Sequence, residues 1–553
     1  MSQPPRLVVI GGVAAGASCA ARARRLSESA QITLIDRGPD VSFANCGLPY
    51  HVGGEIAARE VLAVQTPATL KAMLELDVRT RCEALRIDRA AKRLEVRHLA
   101  GGETEWLSYD KLMLAPGAVP VRPSIPGIDD ARIHTLRSLE DMDRIVAATE
   151  AGMRAVAIGA GFIGLEMAEQ LHRKGLSVEL VELQSQVLPQ LDPTMAMLLE
   201  SELRHQDIGV TLGDGIERFV RADDAVECHL RSGRILKADF VVLSMGVRPE
   251  TGLAQDAGLE LGPHGHIRVN GFQQTSDPDI YAAGDAVETK ERVFGGWTAL
   301  PMGGPANRQG RVAADHIYRP DLARPYPGSL GTAIVRVFDV AAGVTGWTEK
   351  RLRTAGYACS AVTVNDHQHA TYFPGARPLT LKIVWDPQTG RLLGGQVTGH
   401  EGVDKRLDVL AACISSESTI DDLCHLELAY APPFGSAKDI VNLAGFAATN
   451  MRDGLVSPVA TLPKGDVQVV DVRPHPVAEA YPLVGARNLP FPTLRSSLGT
   501  LDKSKPVVTV CAFGKMSYFA ARILSQNGFD VSSFSGGIKG NLDPRSPAKL
   551  PTP

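Results

Sequence analysis

The sequence predicts an α/β protein in which a strand–glycine turn–helix–strand unit occurs twice. An α+β segment and a separate, smaller α/β unit follow. Three observations predict this. Gly11-Gly12-Val13-Ala14-Ala15-Gly16 lies between the apolar run Leu7-Val8-Val9-Ile10 and a second run, Ile32 to Ile35, that ends in Asp36. The pattern returns over residues 154–182, and the last hundred residues carry their own strands, cysteine loop and helix. A chain of 553 residues also exceeds a single core, so three or four domains are expected.

The first unit has the parts of a dinucleotide site. Short apolar strands suit a buried parallel sheet. A glycine turn leads into a helix N-terminus whose free N–H groups can meet a pyrophosphate, and an acid about 20 residues on can take a ribose hydroxyl. Gly11, Gly12, Ala15 and Gly16 form the turn and Asp36 is the acid, with Val13 in place of the middle glycine. The second unit runs from Arg154-Ala155-Val156-Ala157-Ile158 through Gly159-Ala160-Gly161-Phe162-Ile163-Gly164, with a helix from Leu165 to near Gly175, and on to Glu182. Glu182 would accept from a ribose diol and repel a 2′-phosphate, so NADH is favoured and NADPH is the alternative.

Composition excludes other classes. The chain is 44% hydrophobic and 22% charged with a net charge of −4, which suggests neither nucleic acid nor an anionic membrane as partner. Its eight cysteines are scattered without a CxxC pair, so no metal site or disulfide framework is expected and a reducing, cytoplasmic location fits. Glycines and arginines interrupt the N-terminal apolar run, which argues against a signal peptide, and no run reaches the ~18 apolar residues of a span.

Six further segments carry a resemblance. Thr275-Ser276-Asp277-Pro278-Asp279-Ile280-Tyr281-Ala282-Ala283-Gly284-Asp285 resembles the second flavin fingerprint of two-dinucleotide flavoproteins. Leu114-Ala115-Pro116-Gly117-Ala118 and Leu243-Ser244-Met245-Gly246-Val247-Arg248-Pro249 resemble their crossover segments. Val467 to Arg473, the Cys511-Ala512-Phe513-Gly514-Lys515-Met516-Ser517 loop with a helix from Tyr518 to Gln526, and Ser535-Gly536-Gly537 resemble a rhodanese domain. A cysteine between a strand end and a helix start faces backbone N–H groups and the helix dipole, a site suited to a persulfide anion.

The whole chain thus resembles the single-cysteine branch of the pyridine nucleotide-disulfide oxidoreductases, of the coenzyme A-disulfide and NADH-dependent persulfide reductase type, fused to a rhodanese domain. That resemblance implies two Rossmann-like dinucleotide-binding domains, one inserted in the other, an α+β dimerisation domain and a C-terminal α/β rhodanese domain. The implied FAD-binding domain spans 1–112 and 255–325, and the NAD(P)H-binding domain 113–254. The dimerisation domain spans 326–447, a linker 448–458 and the rhodanese domain 459–553. It implies FAD contacts at the first turn and Asp36 and at Arg37, Ser42, Asn45, Ala115, Pro116, Gly117, Gly284 and Asp285. NADH contacts are implied at Gly159, Gly161, Phe162, Ile163, Gly164, Glu182 and Gly246.

Chemistry is expected at Cys46, in Ser42-Phe43-Ala44-Asn45-Cys46-Gly47-Leu48-Pro49-Tyr50. Two-cysteine relatives carry a partner five residues on, where this chain has His51. A lone redox cysteine must cycle with an external sulfur or as a sulfenic acid. A free thiol with a pKa of about 8.5 needs roughly 2 kcal/mol of anion stabilisation to stay ionised at neutral pH, and nearby N–H groups and a flavin ring are expected to supply it. Three readings follow: a coenzyme A disulfide or persulfide reductase with Cys511 as sulfur carrier, an NADH oxidase or peroxidase, and a sulfur carrier or redox sensor. The peroxidase branch carries a histidine where this chain has Ala14. The first branch implies a homodimer whose partner subunit brings Tyr372 and Tyr430 beside the cysteine, with Arg22 and Lys71 as contacts for coenzyme A phosphates.

Overall fold

The computed structural model describes residues 3–459, 461–463 and 465–538, and the end of the expected rhodanese domain, 539–553, lies outside them. The chain divides into two compact units: residues up to 183 with 214–329, and 184–213 with residues from 330 on.

In the first unit, five parallel strands run in the order Ile280–Ala282, Lys111–Leu114, Leu7–Ile10, Ile32–Ile35 and Asp77–Arg79. Alternate residues of the first strand serve opposite faces, as a pleated strand requires. Leu7 and Val9 pack with Cys19, Ala20, Ala23 and Leu34, and Val8 and Ile10 with Ile35, Leu112 and Leu114. Helix α1 (Ala14–Leu26) is alanine-rich because a second helix crosses it closely. After α2 (Leu48–Val52), α3 (Pro67–Leu74), α4 (Phe162–Arg173) and α5 (Gly303–Tyr318), the contact is seen at Gly310 of α5, where a Cβ would stand 2.1 Å from the Ala15 carbonyl oxygen. Buried Arg24 joins α1 to the end of α3, its Nε donating to the Leu74 carbonyl at 2.8 Å.

The inserted domain has its own parallel sheet of Ser177–Glu182, Arg154–Ile158, Phe240–Leu243 and Ile133–His134. The crossover strands Ala118–Pro120 and Val247–Pro249 pair antiparallel. The boundary expected at 112 falls inside the strand Lys111–Leu114, whose register with Leu7–Ile10 holds it in the first sheet.

The second unit has an antiparallel sheet in the order Ala333–Val337, Val340–Gly346, Leu392–Gly399, Pro378–Trp385 and Ser360–His367. The helix Pro193–His205 joins it through a buried cluster: Asp192 accepts from Gln396 Nε2 and Lys382 Nζ at 2.7 and 2.8 Å, and Lys382 also meets Glu349 at 2.7 Å. This is why residues 184–213 belong with the second unit.

The expected linker 448–458 is corrected to four residues. Helix α6 (Ile440–Arg452) runs through its first part, and Ser457–Val459 already pairs in parallel with Val531–Phe534. Asn450 and Asp453 had suggested a break, but Asp453 caps the helix end. The C-terminal sheet is parallel, ordered Ser457–Val459, Val531–Phe534, Val507–Val510, Gln468–Asp471 and Ala486–Asn488. Its helix α7 spans Lys515–Gln526, one turn earlier than the expected start at Tyr518. Among the described residues no helix is long and apolar enough to cross a membrane.

Burial alone would push the Asp192 carboxyl up, but the Lys382 charge, with hydrogen bonds from Lys382, Lys350 and Gln396, holds it below its ordinary value. Such a group binds its proton more weakly folded than unfolded. Its contribution is therefore present above the unfolded value near pH 4 and is lost as pH falls through the folded value. Acid unfolding followed by circular dichroism should show a shallower pH slope in Asp192→Asn. Lys382→Met, which leaves the buried Asp192 and the partly exposed Glu349 without their shared cation, should cost about 3 kcal/mol or more, read as a lower thermal midpoint of the second unit.

Candidate active sites

The two glycine turns are built alike. A Cβ on Gly16 would stand 1.8 Å from the Gly11 carbonyl oxygen, and one on Gly164 would stand 1.8 Å from that of Gly159. Side chains there would force helix from strand, so glycine is required for the close approach. The terminal acids close the turns: Asp36 Oδ2 accepts from Gly12 N–H and Glu182 Oε2 from Ala160 N–H, both at 2.7 Å. Gly161, the N-cap of α4, faces open space where a Cβ would meet nothing within 4 Å. A pyrophosphate can therefore approach the backbone there. In the first turn Val13 holds the N-cap position of α1. Phe162 and Ile163 open α4, and Ile163 is exposed.

Around the first turn the sequence-predicted flavin contacts converge. Gly11 packs against Ala115, a Cβ there falling 2.0 Å from its carbonyl oxygen, so the Ala115-Pro116-Gly117 turn lies over the first glycine. Gly246 is likewise in the left-handed region and accepts from Val121 N–H at 2.9 Å. Gly284 donates its N–H to Gln309 Oε1 at 2.8 Å, and burial pushes the Asp285 carboxyl up against the opposing pull of Arg137. No hydrogen bond occupies the Asp285 carboxylate among the described residues, which fits a polyhydroxyl chain such as the flavin ribityl. Sequence reasoning missed Arg137 and Glu250. Arg137 Nη2 donates to the Pro116 carbonyl at 3.0 Å and to Glu250 at 2.9 Å, and Glu250 also meets Arg37 at 3.0 Å. No spacing rule links residues 37, 137 and 250, because the fold alone brings them together.

Cys46 lies in a short 3₁₀ turn, Asn45–Gly47, that runs into α2. The loop is tied to the first glycine turn by Ser42, whose N–H donates to the Gly12 carbonyl at 2.7 Å while its φ stands at +50°. A non-glycine residue held in the left-handed region marks strain imposed by its surroundings. Beyond the cysteine, α2 leans on α4. Tyr50 donates to Glu166 at 3.2 Å, and a Cβ on Gly53 would strike Gln170. His51 takes the place of a second cysteine and meets the Ile56 carbonyl at 2.7 Å. All eight cysteines are free.

The Cys46 thiol is exposed, yet its surroundings do not stabilise a thiolate. The enclosing walls push its pKa up, and the negative charges of Glu166 and Asp285 add to this. Among the described residues its hydrogen-bonding neighbour is Asn45 Oδ1, which accepts the Cys46 N–H at 3.1 Å and lies 3.8 Å from the sulfur. The expected N–H donors are absent among the described residues, because the 3₁₀ turn directs that amide to the asparagine side chain.

Cys46 opens onto a cleft of about 740 Å³. One wall is a stripe of α1 (Ala14, Ala17, Ser18, Ala21, Arg22 and Arg25) that climbs about 16 Å from the cysteine loop. Val64, Leu70, Met73 and Leu74 make an apolar side, and Asn307 and Arg311 of α5 complete it. Arg22 pairs with Asp315 at 2.6 Å, with Arg311 at 3.9 Å from the same carboxylate. Arg25 has no ion pair among the described residues. Lys71 is not among the residues that line the cleft, to which the 3.6-residue period of α3 turns Leu70, Met73 and Leu74. Arg25 and Arg311 were missed, although Arg25 stands three residues after Arg22 and Arg311 four after Asn307, a helical spacing that puts each pair on one face.

In the second unit Tyr372 and Tyr430 share a hydrogen bond of 2.9 Å between their hydroxyls, and both are exposed. That bond pushes the Tyr372 phenol up. Their loops are joined by Ala370 N–H to the Gly435 carbonyl at 3.0 Å. Buried Arg406 steadies them by donating to the Gln368 carbonyl and Asp439, both at 2.7 Å.

Cys511 is the opposite of Cys46. It is buried at the end of Val507–Val510, and its sulfur accepts Gly514 N–H at 3.1 Å and Ser517 N–H at 3.2 Å. The sulfur also lies 3.6 Å from Ser517 Oγ. Lys515 starts α7 and is exposed. Among the described residues no side chains cluster as a metal site.

Residues 5–309 match the family model of pyridine nucleotide-disulphide oxidoreductases. The chain belongs to this family. Residues 332–440 match that family's dimerisation domain and 459–542 a rhodanese-like domain, and the family implies FAD and a pyridine nucleotide as cofactors. A coenzyme A disulfide reductase of Staphylococcus aureus is 32% identical over 446 residues, 80% of this chain and all of that protein. The reduced Bacillus anthracis CoADR-RHD superposes with a TM-score of 0.93 at 40% identity, covering 97% of this chain and 98% of that one. A NAD-dependent persulfide reductase from A. fulgidus gives 0.93 at 37% identity, covering 97% and 100%. The expected fold class is thereby borne out.

Because burial raises the Cys46 thiol and the Glu166 charge adds to it, Glu166→Gln should speed its alkylation at pH 7.5 about two- to threefold. Iodoacetamide labelling of the reduced enzyme, read as the rate against pH, should show the midpoint moving down.

Proposed function

We propose that this flavoprotein uses NADH to reduce coenzyme A disulfide and coenzyme A persulfide at Cys46, with Cys511 carrying sulfane sulfur. The observation that carries this reading is the cleft, in which one exposed thiol, Arg22 and Arg25 of α1 and Arg311 of α5 stand beside an apolar wall. An elongated thiol ester-forming cofactor with an apolar arm and phosphates at its far end fits that order of groups. Arg22, Arg25 and Arg311 outnumber the one carboxylate they meet, Asp315, and guanidiniums are suited to phosphate. The names of the similar proteins, a coenzyme A disulfide reductase and a NAD-dependent persulfide reductase, support a coenzyme A disulfide and a persulfide as substrate classes.

FAD, held by the first glycine turn, Asp36 and Asp285, would carry the electron pair of NADH to Cys46. NADH would bind over Gly161 with its ribose at Glu182. The Cys46 thiolate attacks one sulfur of the disulfide, forming a mixed disulfide and expelling coenzyme A thiolate. Two electrons and a proton then restore Cys46 and release the second coenzyme A. With a persulfide, attack at the inner sulfur forms the same mixed disulfide and expels HS⁻. Each turnover consumes one NADH and yields either two coenzyme A thiols or one with sulfide. Tyr372 and Tyr430, brought by a second copy of the chain, would protonate the departing thiolate; a paired phenol is a weak but adequate acid for that group.

Cys46→Ser should lose at least about a thousandfold in turnover on both substrates, read as NADH oxidation, while NADH still bleaches the flavin. Full turnover in this variant would end the proposal, and rapid NADH oxidation with oxygen or peroxide alone would favour an oxidase instead. Arg25→Ala with Arg311→Ala should raise KM for coenzyme A disulfide about tenfold, or ~1.4 kcal/mol, and leave the phosphate-free disulfide pantethine unaffected. An equal rise for pantethine would show that the arginines do not read phosphate.

A further inference from the structure

We propose that Asn365 is a positioning residue for Cys511, acting across a domain boundary; this rests on the sulfur-carrying role given to Cys511. Asn365 lies on Ser360–His367, the edge strand of the antiparallel sheet. An edge strand with free backbone groups is ordinarily covered or blunted, and here the rhodanese loops meet it. Asn365 Nδ2 donates to the Phe513 carbonyl at 3.2 Å and to the Gly536 carbonyl at 2.6 Å. Its Oδ1 accepts from Thr380 Oγ1 at 2.6 Å, across the strand pair in which these residues are in register. Both rhodanese partners are carbonyl acceptors and the third is a hydroxyl donor, so the amide has one workable orientation. The His367 ring lies 6.5 Å from that of Phe513.

The Phe513 carbonyl and the Gly514 N–H belong to one planar peptide unit. Holding the carbonyl therefore aims the N–H, and that N–H is one of the two that reach the Cys511 sulfur, at 3.1 Å. Gly514 is in the left-handed region with φ +92°, a conformation that leaves the peptide free to rotate unless something outside the loop fixes it. The opposite wall is pinned by the same amide. The segment after Gly536 follows the cysteine loop, with Ile538 N–H donating to the Cys511 carbonyl at 2.9 Å, and it packs so closely that a Cβ on Gly537 would lie 2.5 Å from Gly514 N. Asn365 thus joins both walls of the sulfur pocket to the antiparallel sheet. It touches no reacting atom, and its effect reaches the sulfur through the 513–514 peptide.

The test is the pH profile of Cys511 alkylation in the full-length holoenzyme, read by mass spectrometry of the Cys511 peptide with Cys46 followed in the same sample. Asn365→Leu, close in shape and without the donor, should slow alkylation near neutral pH about three- to tenfold and move the profile midpoint upward. Thr380→Val should shift it the same way by less, and it decides the matter if Asn365→Leu does not fold. A merely adhesive Asn365 would lower the melting temperature and leave the profile in place; profiles that superpose on the native enzyme overturn the proposal. Incubation with thiosulfate separates this from the underlying reading. Transfer of the outer sulfur to the Cys511 thiolate, releasing sulfite, should leave a persulfide, whereas a shifted profile with no persulfide formed supports the positioning and removes the sulfur role.

Discussion

The close approach of Gly16 to the Gly11 carbonyl is the constraint on which the first unit depends. It sets α1 hard against the strand end, and from that contact the cleft is built upward. The turn fixes where Ser42 can anchor, so it fixes where Cys46 stands. The helix fixes the slope along which Ala17, Ala21, Arg22 and Arg25 recede from the thiol. Small side chains on one stretch of α1 let α5 and the cleft share the same helix, which explains why alanine dominates there. The inserted domain repeats the device at Gly159 and Gly164, and its helix in turn receives the segment that follows the cysteine. One local packing rule used twice thus places a thiol beside two dinucleotide turns.

The parts of this architecture carried by short-range patterns were legible in the sequence. Strand runs, glycine turns and terminal acids declare themselves because their spacing is dictated by a single βαβ unit. The cysteine loops were legible because each stands at a fixed offset from such a unit. What was not legible depends on long-range assembly or on helix phase. Arg137 and Glu250 meet Arg37 only after the crossover strands have paired. Lys71 appeared attractive as a charge near the loop, but the phase of α3 turns it away while Leu70 and Met73 face in. The supposed linker was misread because Asn450 and Pro458 are also compatible with a helix end and with the first residues of an edge strand. Asn365 carried no signal, since its role arises from where a distant carbonyl comes to rest.

The two thiols divide the chemistry through their surroundings. Cys511 is buried and receives two backbone N–H groups, a pocket that accommodates a sulfur anion without a counter-charge. Cys46 is open to the cleft and faces carboxylates, so its anion has no comparable support from the chain. A thiol in that position is a poor nucleophile until a positive dipole or an electron-accepting ring is placed against it. The proposed flavin site would be formed by the first glycine turn and Asp285, next to the same loop. On the proposed reading, reactivity at Cys46 would depend on occupation of that site, whereas the Cys511 sulfur draws its support from backbone N–H groups of its own loop, which Asn365 holds in place. On that reading, the thiol that would wait for electrons is the one whose anion the described residues leave unsupported, and the thiol that would hold sulfur is the one whose anion the backbone already cradles.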